Sequence, residues 1–431
     1  MNGSLDAAGS FAASVACAAI VGRLLTAAVM PMLRQLEACF AADAAAGEEH
    51  GHAVDQREMP ACPPESSGVV ADEPPLPRRG PVALIPVVGW WLASQHRPAG
   101  WRLAAGLELA AVAVGGLGWL WEVAWGMQLP PAFVGLTSAQ ELLTTRLLAH
   151  LVLAGFLAAA TWCDLRYRVI PDAITVPGLL LGMLAATCWP GLLLPVSCLL
   201  PAEPVTALAV PDLLGPAGPL LCQGQAGWPI DLRSWAGLLL LSAGFTVWWS
   251  VGTAADPHRR WFGDPRFFVL AGGLTVILAT WLLALADTEP RHLLALATSL
   301  TGAVGAGGLI VLTREAASRA LGKEAMGLGD ATLMAMVGSW LGWQVGVIAF
   351  FIAAFLGLAH GLLGWLWKRE TELAFGPSLC LATVIVLVAW RWVWGWLEPI
   401  FLYPLDLLVV LGVVVGLTGL TLAIWSRLRS L

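Results

Sequence analysis

Charged side chains are what this sequence most conspicuously lacks. Only 12% of its 431 residues are Asp, Glu, Lys or Arg, against roughly 25% in soluble globular domains. That supply excludes a water-soluble enzyme with a polar shell. Tyrosine is nearly missing, at 2 residues, while tryptophan reaches 23. An indole buries its body and keeps its N–H wet, so this bias fits many membrane–water boundaries. The eight cysteines (17, 39, 62, 163, 188, 198, 222 and 380) contain no C-x-x-C pair, so neither a zinc knuckle nor a thioredoxin-type motif is written here. Several lie in apolar segments, where a free thiol behaves as a small hydrophobe. Strong net charge is missing too. The formal value of -6 gives no reason to propose nucleic acid as a partner. Nor does the start read as a short cleavable signal, because Asp6 precedes the first apolar run and Arg23 interrupts it. That run is expected to be a permanent helix.

What is present is apolar sequence in long runs: 58% of residues are hydrophobic and the mean hydropathy is +0.76. A spanning helix needs roughly 20 mostly apolar residues. Such runs occur near 10–33, 103–125, 142–162, 173–197, 234–252, 267–286 and 292–313, then over 331–367, and finally at 378–397 and 402–425. The 331–367 run is too long for one helix and is broken at Gly342. The expected fold is all-α, a polytopic transmembrane helical bundle of about ten to eleven spans.

Lys and Arg near span ends set orientation. Arg34, Arg57, Arg78, Arg79, Arg97 and Arg102 lie in the first connector, and Arg166 and Arg168 follow the third span. Arg259, Arg260 and Arg266 follow the fifth, Arg314, Arg319 and Lys323 the seventh, Lys368 and Arg369 the ninth, and Arg427 and Arg429 the last. Every second connector is the basic one, so these read as cytoplasmic. The domain reading is a first transmembrane helix at 1–33, a partly flexible cytoplasmic connector at 34–102, and a membrane domain at 103–431. Within the connector, Glu48-Glu49-His50-Gly51-His52 has no apolar pattern to hold a metal site rigid and reads as solvated linker. The Pro-rich 198–233 stretch reads as an extracytoplasmic loop.

An ionisable residue at a membrane boundary is a functional hypothesis by default. Two acids here have unusual flanks. Asp164 follows the third span in Cys163-Asp164-Leu165-Arg166-Tyr167-Arg168-Val169-Ile170-Pro171-Asp172, and Asp330 precedes the eighth in Met326-Gly327-Leu328-Gly329-Asp330-Ala331-Thr332. An even number of predicted spans separates them, which puts both on the cytoplasmic side. Brought within a few ångström, two carboxyls cannot both ionise readily and share a proton. The ionised one can then take a proton from water while the other polarises a peptide carbonyl, and the pair titrates as a unit. Gly327 and Gly329, lacking Cβ atoms, suit close approach of a substrate or a partner helix to Asp330. Singly, each acid has a plainer explanation: Asp164 as a juxtamembrane acid among arginines, Asp330 as the cap of a helix starting at 331. Asp264, in Phe262-Gly263-Asp264-Pro265, reads as loop.

Together these motifs resemble the type IV prepilin peptidases. The resemblance rests on Asp-x5-Ile-Pro-Asp-x-Ile-Thr from Asp164 to Thr175 and Glu-x-Met-Gly-x-Gly-Asp-x-x-Leu from Glu324 to Leu333. Gly-x-Trp-Leu-Gly-Trp from Gly338 to Trp343 and Ala374-Phe375-Gly376-Pro377-Ser378-Leu379 extend it. Ile85-Pro86-Val87-Val88-Gly89-Trp90-Trp91 and Glu108-Leu109 match more faintly. Clear resemblance covers about 160–197 and 305–385. It implies a membrane aspartic peptidase of the Gly-x-Gly-Asp type in the inner membrane, cutting the basic leader from prepilins and pseudopilins at the cytoplasmic face. Asp164 and Asp330 would be its catalytic pair, with Pro171 and Asp172 as local motif residues. No cofactor is implied for cleavage. S-adenosylmethionine belongs with the N-methylation that many members also perform, and zinc is not expected, because the family's C-x-x-C pairs are missing.

Two departures stand out. Thr332 replaces the family's Lys two residues after the second Asp, and an extra pair of spans around 198–286 lengthens the interval between the Asp motifs. An inserted pair preserves parity. The rival readings are an inactive pilin-binding scaffold and a proton- or ion-coupled transporter using paired Asp residues, which predicts carboxylates near the bilayer midplane. Glu315, Glu324, Glu370 and Glu372 either attract a basic leader or balance their basic neighbours, and the second is favoured.

Overall fold

The computed structural model describes residues 8–24, 101–128, 138–194, 291–322, 326–367 and 375–401, with isolated positions in 243–247, 272–278 and 409–416. These residues are helical throughout, joined by short turns. In chain order they form α1 (Ala8–Leu24), α2 (Trp101–Gly118), which runs into a π-helical turn at Trp119–Ala124, α3 (Ser138–Tyr167) and α4 (Asp172–Cys188). After a 3-10 turn at Pro190–Leu192 come α5 (Arg291–Leu321), α6 (Leu328–Leu341) and α7 (Trp343–Trp367). The last two are α8 (Gly376–Val388) and α9 (Trp390–Phe401). Among the described residues, three helical stretches are long and apolar enough to cross a membrane, Ala105–Ala124, Leu142–Tyr167 and Trp343–His360. The α8–α9 pair makes a fourth if it counts as one bent span. The predicted spans at 234–252, 267–286 and 402–425, most of connector 34–102, the 198–233 loop and Asp264 lie outside the described residues, isolated positions apart.

α6 is the centre of the bundle. Every residue from Asp330 to Leu341 is buried, as befits a helix that is apolar all round. Small residues let its neighbours come close. A Cβ on Gly302 of α5 would fall on the Gly338 carbonyl of α6, and one on Gly346 of α7 would strike Ala306. On another face, Gly178 and Gly182 of α4 receive Met336 and Trp340, and Trp340 Nε1 donates to the Gly178 carbonyl at 2.8 Å. Helix association in lipid lacks a hydrophobic driving force and depends on such packing and on interhelical hydrogen bonds. α6 ends because Gly342 adopts φ +87°, a left-handed conformation suited to glycine. The chain turns there into α7, and the predicted break falls at that residue.

One predicted span is corrected. The apolar run 378–397 is not a single straight helix, because α8 and α9 meet at an 86° bend. The cause is a change of pattern within the run. Trp390 and Trp394 are buried and stack at 5.3 Å, while Trp392 and Trp396 are 52% and 78% exposed. That stripe gives α9 one inward face, which it can use only by turning against the bundle. Trp121 holds the corner by donating Nε1–H to the Val388 carbonyl at 2.9 Å, one of the acceptors a helix end leaves unmet.

Replacing Gly302 by Val forces side chain onto backbone that cannot rotate away. The expected cost is roughly 1–3 kcal/mol, seen as a lower thermal midpoint in detergent. Gly308→Ala on the same helix, where a Cβ meets nothing within 4 Å, should leave the midpoint unchanged.

Candidate active site

α3 ends in a left-handed cap. Arg168 has φ 56°, and its N–H donates to the Asp164 carbonyl at 2.8 Å. This is the single-bond form of the αL motif, made here with a non-glycine residue at a strain of order 1–3 kcal/mol. The cap turns the chain back sharply, through Ile170 and Pro171, into α4. Asp164 therefore lies inside the last turn of α3, one step earlier than the span prediction put it. Asp330 lies in the first turn of α6, whose N-cap is Gly327 with no side-chain cap bond. The capping explanation for Asp330 is thus corrected: α6 begins at Leu328, ahead of the position such a cap requires.

The fold brings the two acids together. Asp164 and Asp330 are 6% and 7% exposed, and the charge of one acts on the other. The Cys380 thiol on α8 lies within electrostatic reach of both carboxyls, so α3, α6 and α8 all border this region. Gly376, the first residue of α8, closes the site from above Asp164. A Cβ there would lie 2.5 Å from Asp164 Oδ2 and 2.7 Å from Ile170 Cδ1, so only glycine lets α8 start so close. Its backbone N–H faces the Asp164 carboxyl, while Oδ2 itself has no hydrogen-bond partner within the chain. That leaves a buried acceptor packed against the start of α8. On the other acid, the Gly327 N–H faces the Asp330 carboxyl.

The remaining motif residues divide into tight and open positions. Gly329 is tight, since a Cβ would meet Ile170 Cβ and its carbonyl at 3.0 Å. The loop after α3 thus packs directly on the α6 start. Gly327 is exposed and a Cβ there would reach Asp330 Oδ2 only at 3.8 Å, an ordinary contact. Close approach therefore explains Gly329 and not Gly327, which borders the open side of the Asp330 carboxyl. Pro171 is buried at the N-cap of α4, and Asp172 lies in its first turn, where a carboxylate suits the helix dipole. Thr332 links the two motif segments. It accepts from Thr175 Oγ1 at 3.0 Å, and its own proton goes to the Gly329 carbonyl at 3.0 Å in preference to Asp172 Oδ1 at 3.5 Å. Arg314 pins the turn into α6 by donating from Nε to the Met326 carbonyl at 2.9 Å.

Sequence reasoning used Gly376 only as part of a matching segment; its contact with Asp164 depends on chain more than two hundred residues away. Glu315 pairs with Arg319 at 2.9 Å, in line with the balancing explanation, while Glu324, Glu370 and Glu372 lie outside the described residues. So do His50 and His52. Among the described residues, no three His, Cys, Asp or Glu side chains gather as a metal site would need.

Over residues 262–362, which include Asp330 but not Asp164, the chain matches the type IV leader peptidase family. It is 35% identical to a prepilin leader peptidase/N-methyltransferase of Dickeya chrysanthemi over 186 residues, 39% of this chain and 62% of that protein. It is 37% identical to the protein of that name from Escherichia coli (strain K12) over 73 residues, 16% of this chain and 32% of the relative. With the one from Pectobacterium carotovorum subsp. carotovorum the figures are 44% over 73 residues, 16% and 26%. The chain thus covers less than two thirds of each of these relatives. No solved structure matches.

Removing the Thr175 hydroxyl strands no other buried group but cuts the bond between α4 and α6. Thr175→Val is expected to lower stability by about 1 kcal/mol, measured by thermal unfolding in detergent, with Thr175→Ser retaining most of it.

Proposed function

We propose that this chain, which belongs to the type IV leader peptidase family, is an aspartic endopeptidase that removes the basic leader of prepilins or pseudopilins, with Asp164 and Asp330 as its catalytic pair. The observation that supports this reading is that both acids are buried, Asp164 at the end of α3 and Asp330 at the start of α6, with the charge of one acting on the other. Two carboxyls so placed hold one proton between them. The ionised carboxyl of the pair offers a lone pair to the attacking water and takes its proton. The protonated partner donates to the scissile carbonyl oxygen as it becomes tetrahedral; the proton taken from water then passes to the leaving amine as the C–N bond breaks, and the diol returns its proton to the pair. The Gly376 and Gly327 amides keep the carboxyls aimed without adding side-chain bulk.

The substrate would approach past the exposed Gly327, with its apolar mature helix in the bilayer and its basic leader in the cytoplasm. Contact with the bundle then positions the scissile bond, and proximity supplies much of the rate. The alternation of basic connectors supports a multi-pass protein of the inner membrane, of ten to eleven spans, with the site at the cytoplasmic face. Cleavage in this scheme needs no metal. The same new N-terminus is the group that S-adenosylmethionine-dependent methylation would act on, as a separate activity.

Co-expression with a prepilin of the same genome, read by intact mass, tests the assignment. The parent should remove the leader, while Asp164→Asn and Asp330→Asn each abolish removal. Gly376→Ala, which pushes on Oδ2, should slow it about 100-fold through misplacement of the carboxyl. A further gain of one methyl mass on the product would establish methylation. Uncut pilin with well-expressed parent, across several prepilins, would favour a pilin-binding scaffold.

A further inference from the structure

Away from the Asp pair, the bundle carries a helix that the peptidase reading leaves unused. α8 runs from Gly376, beside Asp164, to Val388, and α9 then leaves it at 86°. α9 has 12 residues, while a spanning helix needs roughly 20. Laid across the direction of α8, it neither prolongs that crossing of the bilayer nor carries the chain back through it.

The sequence of α9 sorts its side chains onto two faces. Trp390 and Trp394 are buried, and Val393 and Leu397 pack with them against the core. The opposite face presents Trp392, Gly395 and Trp396, all exposed, with Arg391 half-buried on the flank.

The medium that this outer face meets follows from its continuity with α8. Leu381, Val384, Ile385 and Val388 are exposed at three- and four-residue spacing, an apolar stripe without charge. On a helix in a membrane bundle such a stripe faces lipid. Trp392 follows Val388 by four residues and carries the stripe round the bend. Its ring meets Trp121 at 5.9 Å, and Trp121 meets the exposed Trp125 at 5.8 Å. The lipid-facing surface therefore ends in a group of indoles, and Trp189 is exposed at the far end of α4. Indoles collect where hydrocarbon gives way to headgroups, because the ring is apolar and its N–H is not. Beside Trp121, the Glu122 carboxyl lies 3.0 Å from His150 Nδ1, a polar pair that costs less at that boundary than at the bilayer centre.

We propose that α9 is an interfacial helix, lying in the plane of the membrane with Trp392, Gly395 and Trp396 against the headgroup region of the lipids. Short helices with tryptophan on the lipid side and a basic residue beside it bind membranes in this way. Anchored there, α9 limits how far α8 can slide along the membrane normal, and α8 begins at the glycine packed on Asp164. This placement concerns membrane geometry and stands whether or not the acids cut a peptide.

Nitroxide labels on single cysteines test it, in the full chain freed of its natural cysteines and held in lipid nanodiscs. Depth is read by comparing relaxation by oxygen with relaxation by a water-soluble nickel chelate. L381C, I385C and V388C report α8, and W392C, G395C and W396C report α9; at Gly395 a Cβ meets nothing within 4 Å. Depth should change along α8, by about 6 Å between 381 and 385, then level off at the headgroup boundary with 392, 395 and 396 equal. A further change of about 6 Å between 392 and 396 would make α9 part of a span. Labels reached by nickel and not by oxygen would place the face in water, and labels reached by neither would place it under protein. Each of these results overturns the proposal. Should the cysteine-free chain fail to fold, benzoylphenylalanine in place of Trp392, Gly395 or Trp396 in the parent should give lipid adducts on irradiation, and their absence would overturn it.

Discussion

Two carboxyls buried in an apolar interior, the charge of one acting on the other, are the constraint the proposed site must meet. Like charges a few ångström apart interact strongly where water cannot screen them, and sharing one proton relieves that interaction. Something must still hold the groups together. Covalent chain does part of this: the left-handed cap at Arg168 keeps Asp164 in the last turn of α3 and returns the chain at once toward α4. Backbone amides do the rest, from Gly376 on one side and Gly327 on the other. Both are glycine, and the Gly376 position would otherwise fill the space that Asp164 Oδ2 occupies.

Close packing transmits this requirement through the bundle. α6 can carry Asp330 to a buried position because it is enclosed on all sides, and it is enclosed because glycines on α4 and α5 accept its side chains and backbone while one on α7 packs on α5. The Thr175–Thr332 bond then ties the segment after Asp164 to the segment after Asp330. A threonine at 332 contributes a hydroxyl between helices and no cation near the acids. The electrostatics of the pair then rest on the carboxyls themselves, on backbone amides and on the Arg168 guanidinium, whose charge acts on Asp164.

Much of this was legible in sequence because its signals are local. Apolar run length located the described helices, a glycine marked the α6–α7 break, and the two acids with unusual flanks are both buried at helix ends. What was not legible depends on distant partners or on a hidden change of pattern. The Gly376 contact with Asp164 joins α3 to α8, and no spacing rule relates them. The α8–α9 bend lies within a continuous apolar run, where hydropathy alone cannot distinguish a span from a helix with one inward tryptophan face. Arg146 lies inside the apolar run 142–162, with nothing local in the sequence to show what it meets. Its burial beside Glu122 and His150 draws on the π-helical turn, α3 and the turn after α4 at once.

The central claim is that Asp164 and Asp330 face one another across a single site. Replacing both by cysteine, in a background whose natural cysteines are removed, and treating the folded membrane protein with a short bifunctional thiol reagent measures this directly. The account predicts an intramolecular cross-link in the double variant, found by mass spectrometry as one peptide joining the two motifs, and none in either single variant. A folded double variant in which both thiols react but never with the same reagent molecule would place the acids in separate sites and contradict it.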